Sequence, residues 1–484
     1  MATLSKGFVY MASTEVVVMF SNYFIHFFLA RYLGTEGYGL FGVLMSLYLI
    51  NRAFLNTGIP RAVTKFVSES NVLTHSFYIT VLKLQFFLAT LFTLLYLFLA
   101  PFLAFLLHDS SLTNPIRFLG LMVIPLSLLA LYTSGYMNGL RVFKEQAIIS
   151  LTLPIFRFVL VFLFVFLGMG IFGVLLGYFL SVICCLILFF IIWKNPVQKI
   201  DLKESERSIL QKVFLFSLPI TISSLAFISI RNMNVLFVKS ILDDNVSAGL
   251  YTAATTLSNI PFLLFMYLPF VLMPSISRSI AMNNLVLTQK HIKQSLRWLL
   301  LLMLPVIALM AATSDKLLLF FYSSSFTSAE GVLRLLILSV AFLLVYGTLC
   351  SIITGSGKPK VEMGITLFLL ILMVILNLLF IPRYGLVGAG YSSVITTFIG
   401  MVAGGVYVLY TFKVLLDFFS MTKILFSSSL VYYFSSLWHF TGFHLLFTYV
   451  LMLFFYVSVL FLIGELTRND FHFFYSIFSK KKEP

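Results

Sequence analysis

A chain of 484 residues that is 60% hydrophobic and only 10% charged, with a mean hydropathy of +1.05, does not have the balance of a soluble domain. Its net charge of +15 would point to nucleic acid in a soluble protein. Here the basic residues fall between apolar runs, which excludes that reading and makes membrane topology the first explanation.

Taken in order, the apolar runs predict about fourteen spans of the roughly 20-residue length a bilayer demands. They cover residues 8–30, 37–59, 77–100, 115–137, 147–168, 171–193, 213–238, 249–273, 298–321, 331–354, 361–381, 385–411, 422–440 and 443–464. The fold class expected is an all-α polytopic membrane protein, because an open sheet in hydrocarbon leaves backbone groups unpaired and a barrel would show polar–apolar alternation. The first run contains Glu15, is too long for a signal-peptide core, and reads as a retained span. With the N-terminus inside, 23 Lys and Arg fall on one side and 6 on the other (Arg31, Arg117, Lys239, Lys316, Arg334 and Arg383), with Arg52, Arg157 and Arg231 within spans. The positive-inside rule makes the rich side, with both termini, cytoplasmic and places the chain in the cell membrane. The polar stretch 194–212 is expected to join two halves on that side, as a surface helix or a solvated anchor. It and the basic stretch 275–297 could also meet anionic lipid headgroups.

The halves are related. Gly39-Leu40-Phe41 and Gly249-Leu250-Tyr251 stand 210 residues apart, and Pro60 and Pro274 stand 214 apart. Lys144 and Lys360, each a few residues after a glycine, are 216 apart. Gly170-Ile171-Phe172-Gly173 and Gly385-Leu386-Val387-Gly388 are 215 apart. These anchors are glycine, proline and lysine, which do not match by chance as Phe and Leu do. The division expected is a six-helix bundle over 1–193, the linker 194–212, a second bundle over 213–412, and an extra helix pair with a basic tail over 413–484. Repeated membrane halves are a transporter feature, with the substrate site at the repeat interface.

Charges inside spans are costly and need a reason. Arg157 falls near the middle of span five, too deep for easy snorkelling. Arg52 lies in the inner half of span two and Arg231 in the outer half of span seven. Glu15, at a depth similar to Arg52, is a candidate ion-pair or coupling partner. Three guanidiniums against one carboxylate suit a phosphate or pyrophosphate headgroup, because guanidinium meets phosphate oxygens with a planar fork. Asn22, Asn51, Asn56, Asn232, Asn234, Asn259 and Asn377 also fall in spans, where amides hold helices together. Pro125, Pro154, Pro219, Pro261, Pro269 and Pro305 allow bends, and Pro154 lies one turn before Arg157. No catalytic constellation, metal-ligand spacing or phosphate loop is found. Seven His residues show no ligating pattern, and Asp243-Asp244 reads as a solvated turn. Cys184 and Cys185 adjoin in one run and Cys350 stands apart, so no disulfide framework is expected.

The stretches ARYLGTEGYGLFG and GIPRAVTKFVSE, SAGLYTAATTLSNIP with LMPSISRS, and YGLVGAG now support a resemblance. The chain resembles the polysaccharide-biosynthesis (Wzx-like) oligosaccharide flippases of the multidrug/oligosaccharidyl-lipid/polysaccharide exporter superfamily, over nearly its whole length. The resemblance implies two facing six-helix bundles with spans thirteen and fourteen appended. It implies a flippase that moves a lipid-linked oligosaccharide (on a polyprenyl phosphate or pyrophosphate) from the cytoplasmic to the outer leaflet by alternating access. The partners implied are that substrate, membrane lipids, glycan-assembly proteins and, if transport is ion-coupled, Na+ or H+; no cofactor, metal or enzymatic activity is expected. Arg52 matches by position an arginine of related lipid II flippases. Two departures stand out: Asn234 falls where many relatives have Asp, which weakens cation coupling there, and TAATTLSN lacks the span-eight arginine of the lipid II flippases. Other functions compatible with the sequence are a cation-coupled multidrug or metabolite antiporter, which should offer more intramembrane carboxylates, and a membrane-embedded glycan polymerase or glycosyltransferase, which should offer a long outer loop with catalytic carboxylates.

Overall fold

The computed structural model describes residues 2–70, 73–193, 197–198, 205–266, 276–280, 282, 284–438, 442 and 444–466. Of residues 2–13, 15, 16, 70, 73, 197 and 198 only the backbone is described. The chain is helical almost throughout. α1 (Ala2–Asn56) carries the first two predicted spans as one helix broken at Gly34 (φ 69°, ψ −175°), a conformation open to glycine. The second span stops at Asn56, and from Gly58 the chain forms the amphipathic α2 (Gly58–Ser70), with Arg61 and Lys65 outward. β1 (Leu73–Thr74) pairs in parallel with β2 (Val197–Gln198), tying the loop after α2 to the expected linker. α3 (His75–Leu106) and α4 (Thr113–Ala130) follow, and α4 continues as a π-helical turn over Leu131–Met137. Then come α5 (Phe143–Phe166), α6 (Gly170–Ile192) and α7 (Glu206–Leu242), whose Ser205 cap starts it inside the expected linker.

α8 (Asn245–Phe265), α9 (Leu285–Ala312), α10 (Ser314–Phe321) and α11 (Glu330–Gly355) lead to α12 (Pro359–Phe412). α12 joins spans eleven and twelve across a break at Gly385 (φ 59°, ψ −138°). α13 (Phe418–Leu437) and α14 (His444–Leu462) are the final pair. The end of span eight, the linker residues 194–196 and 199–204, His439 and the basic tail fall outside the described residues. Ten helices among the described residues are long and apolar enough to cross a membrane, and two of them contain the breaks at Gly34 and Gly385. Exposed apolar side chains such as Phe98, Phe454 and Leu462 suit hydrocarbon.

The repeat is written into the backbone. Positive φ occurs at Gly34 and Asp243, at Arg141 and Gly357, and at Gly170 and Gly385. Each pair falls at the spacing of the sequence anchors and marks the same turn in each half.

The chain divides into two compact units, one of Met1–Thr252 with Asn377–Leu386 and the other of Ala253–Leu376 with Val387–Pro484. In the first, α7 packs on α1, α2 and α3, and α5 on α6 and α1. Thr64 of α2 donates to the carbonyls of Ser134 (2.5 Å) and Gly135 (3.3 Å) in the π turn, where the altered register leaves carbonyls available. At the Lys/Arg-poor ends, Lys239 of α7 sits 3.8 Å from Asp109, and Ser240 donates to the carbonyl of Leu106 at 2.6 Å. In the second unit, Trp298, Leu301, Ile424, Val431, Met452 and Tyr456 form an apolar core that seats α13 and α14 on α9. Polar contacts clamp both ends of that seat. Arg297 pairs with Glu465 at 2.8 Å, Ser420 also donates to Glu465, Tyr449 meets Thr313 at 2.6 Å, and Lys316 donates to the carbonyl of Trp438. The three cysteines are free.

Candidate functional site

Arg157 lies 14 residues into α5, roughly 21 Å along its axis at 1.5 Å per residue. Pro154 is accommodated within the same helix. The arginine is only 7% exposed, and its guanidinium carbon lies 4.3 Å from the ring centroid of Tyr178 on α6. Tyr178 meets Tyr48 of α1 edge-on at 5.8 Å. The Nε of Arg157 and the hydroxyl of Tyr48 have no hydrogen-bond partner among the described residues. One turn along α1, the buried Asn51 leaves its side-chain oxygen unmatched as well. The arrangement is a buried cation stacked on an aromatic face, which stabilises it without neutralising it, and which keeps planar donors available to an anion. Among the described residues no carboxylate pairs with Arg157.

α5 and α6 are able to stack these groups because Gly177 lets their backbones touch. A Cβ there would stand 2.8 Å from the backbone nitrogen of Val161, one turn from Arg157.

Arg231 is half-buried on α7 and couples electrostatically to Tyr23 of α1. Across the break at Gly34, His26 and Tyr38 bond through Nδ1 and the hydroxyl at 2.8 Å, and His26 packs edge-on to Phe41. Arg52 is exposed on α1, near its end at Asn56, so it lies at another depth. Its expected partner Glu15 has its backbone in α1, but its side chain lies outside the described residues. Arg157 and Arg231 thus engage tyrosines on α6 and α1 respectively, and Arg52 stands apart on the exposed face of α1.

A second polar cluster is neutral. Asn377 of α12 donates to the side-chain oxygen of Asn234 at 2.6 Å, and Asn234 donates to the Tyr251 hydroxyl at 3.0 Å. All three are at most 3% exposed, and the side-chain oxygen of Asn377 accepts no bond among the described residues. Among the described residues no group of three or more His, Cys, Asp or Glu gathers as a metal site.

Sequence reasoning missed the tyrosines. Tyr23, Tyr48 and Tyr178 look like membrane filler in an aromatic-rich chain. The available signal is their depth, since membrane tyrosines collect at the two interfaces and these lie well inside.

Comparison with known proteins places this geometry. Residues 4–280 match a family model described as polysaccharide biosynthesis protein, and residues 219–379 match one described as MatE. An uncharacterized membrane protein of Methanocaldococcus jannaschii is 27% identical over 413 residues, covering 82% of this chain and 95% of that protein. Among solved structures, the lipid II flippase MurJ in an inward closed conformation has a TM-score of 0.73 at 16% identity, covering 94% of this chain and 97% of its own. An inward-facing multidrug resistance MATE family transporter of the MOP superfamily has a TM-score of 0.68 at 15% identity, covering 81% of this chain and 94% of its own. The chain carries the MOP-superfamily transporter fold, multi-pass in a membrane, and belongs to the polysaccharide biosynthesis protein family.

Proposed function

We propose that this protein is a flippase for a lipid-linked oligosaccharide, carrying a polyprenyl phosphate or pyrophosphate headgroup from the cytoplasmic to the outer leaflet, and that it performs no bond chemistry. The observation that carries the reading is Arg157, buried mid-span with an unmatched Nε and held over Tyr178 rather than beside a carboxylate. A fixed positive charge in that setting suits a phosphate oxygen, and Arg231 and Arg52, at other depths, suit further contacts as the headgroup moves. The lipid tail stays in the bilayer while the two six-helix bundles alternate in access, with both termini cytoplasmic. A membrane potential that is negative inside assists the step: one negative charge moved outward gains roughly 2.3 kcal/mol per 100 mV. Membrane lipids and glycan-assembly proteins are the partners this role calls for. Na+ or H+ coupling would have to act through a group such as Glu15, because the cluster at Asn234 is neutral.

The test is to delete the gene and measure lipid-linked glycans by mass spectrometry, with their leaflet exposure read by an impermeant lectin. The reading requires a complete intermediate that accumulates facing inward, and rescue by the wild type but not by Arg157→Ala expressed at equal abundance. The match of residues 219–379 to the MatE model supports a second reading, a cation-coupled multidrug or metabolite antiporter. Unchanged intermediates with altered sensitivity to cationic drugs would favour it.

A further inference from the structure

Counterpart residues of the two halves meet one another at one crossing of α1 and α8. A Cβ on Gly39 would overlap the carbonyl oxygen of Asn245 and stand 2.9 Å from the nitrogen of Gly249. A Cβ on Gly249 would overlap the carbonyl oxygen of Thr35 and stand 3.1 Å from the nitrogen of Gly39. Thr35 and Asn245, like Gly39 and Gly249, are 210 residues apart, so the contact is reciprocal. One turn further in, a Cβ on Gly42 would stand 2.7 Å from the Cβ of Thr252, its own counterpart. By contrast, added Cβ atoms at Gly331, Gly347, Gly364 and Gly405 meet open space.

Backbone approach of this kind brings Cα hydrogens onto carbonyl oxygens, a weak and short-ranged interaction. The hydroxyls of Ser46 and Thr252 donate to carbonyls of their own helices, Gly42 at 2.9 Å and Ala248 at 2.7 Å. The flanking Tyr38, Phe41, Val43 and Ala248 are at most 1% exposed, so the crossing is dry. It also has a definite depth. Gly39 lies five residues past the break at Gly34, and Gly249 four residues into α8. Arg231 lies 11 residues back from the end of α7 on the same side, so the crossing is nearer the Lys/Arg-poor face than either deep arginine.

We propose that the Gly39–Gly249 crossing is the seal of the transport path on the Lys/Arg-poor side, and that it parts and re-forms once per cycle. This rests on the transport reading above. A contact made by backbones alone closes tightly without an ion pair or hydrogen bond that each cycle would have to break, and the absence of side chains at its centre is what lets it close.

The test uses the full chain with Cys184, Cys185 and Cys350 replaced by alanine. Gly42→Cys with Thr252→Cys brings two Cβ atoms near the roughly 3.8 Å a disulfide prefers. Oxidation should cross-link the pair and stop movement of the lipid-linked glycan, and reductant should restore it. A cross-linked protein that transports at the uncross-linked rate overturns the proposal. A second readout needs no substrate. Ser46→Cys lies one turn inward of Gly42, and in right-side-out vesicles an impermeant maleimide should label it slowly. Adding Gly39→Ala or Gly249→Ala should speed that labelling about tenfold or more, because overpacking a tight contact is worth about a decade in an equilibrium constant. Gly405→Ala should leave it unchanged. Labelling unaffected by either alanine overturns the seal. Labelling and cross-linking as expected, in a protein that moves no lipid-linked glycan, leave the seal standing and remove the flippase reading.

Discussion

A guanidinium laid on a tyrosine ring in the middle of a span keeps its in-plane donors for a ligand. Arg157→Ala removes a charge-assisted contact worth roughly 1.5–3 kcal/mol, so substrate affinity should fall about tenfold to a hundredfold. Arg157→Lys keeps the charge but not the planar fork, and flipping assays should place it between the two. Tyr178→Leu should cost less, about 0.5–2 kcal/mol of cation–π support. Asn234→Leu is a stability test. It strips both Asn377 and Tyr251 of a buried partner, and thermal unfolding in detergent should register a loss of roughly 1–3 kcal/mol. The sequence announced Arg157 because a charge in hydrocarbon is conspicuous. It did not announce Tyr178, because a ring in an aromatic-rich span is unremarkable until its neighbour is known. The Asn234–Asn377 bond was equally hidden, since amides 143 residues apart in the chain carry no shared signal.

Among the elements, α5 and α6 hold their registry through Gly177, whose added Cβ would press on the backbone of Val161. Gly177→Ala should therefore push Arg157 off Tyr178 and lower flipping without touching substrate, while leaving the protein folded by gel filtration. α8 depends on a different device. Asp244 accepts hydrogen bonds from the N–H groups of Val246 and Ser247 at 3.0 and 2.8 Å, capping the helix start. Burial pushes its pKa up, but these bonds and nearby Lys239 outweigh it and hold the carboxyl below its ordinary value of 3.8. A depressed acid stabilises the native state above its unfolded value and loses that contribution as pH falls through its native one. Amide exchange at residues 245–248 should therefore quicken only in acid below 3.8, and Asp244→Ala should show the quicker exchange at neutral pH, at a cost of about 1 kcal/mol. At this scale the sequence was readable where glycine marked a reversal, at Gly34, Gly170 and Gly385. It concealed that Gly34 and Gly385 each turn the chain within one unbroken run of helix, because a single residue at positive φ suffices where a loop of several was expected. The π turn at Leu131–Met137 was out of reach, since the hydroxyl that its freed carbonyls bind comes from Thr64 on another element.

In the whole molecule, the final helix pair is fastened to α9 at both ends and along an apolar seam. Arg297→Ala would leave the 7%-exposed Glu465 without its cation, so the pair should loosen by roughly 1.5–3 kcal/mol. Limited proteolysis between α12 and α13, within residues 414–417, should quicken in that variant and be restored toward wild type by adding Glu465→Gln. The number of spans and the duplication were legible because hydropathy and glycine spacing are carried locally by the chain. The pairing at Arg297 and Glu465 was not, because residues 168 apart meet only once the fold exists. One consequence of the glycine crossing concerns ancestry. When each residue meets the partner of its own counterpart, the contact has the form of a twofold homodimer interface. Six spans are an even number, so duplicated halves enter the bilayer with the same orientation and the twofold axis runs along the membrane normal. The surface that now joins Gly39 to Gly249 is one through which a single-half precursor pairs with an identical copy. Gene fusion then turned an encounter between two molecules into a contact within one, and freed the two glycine turns to diverge.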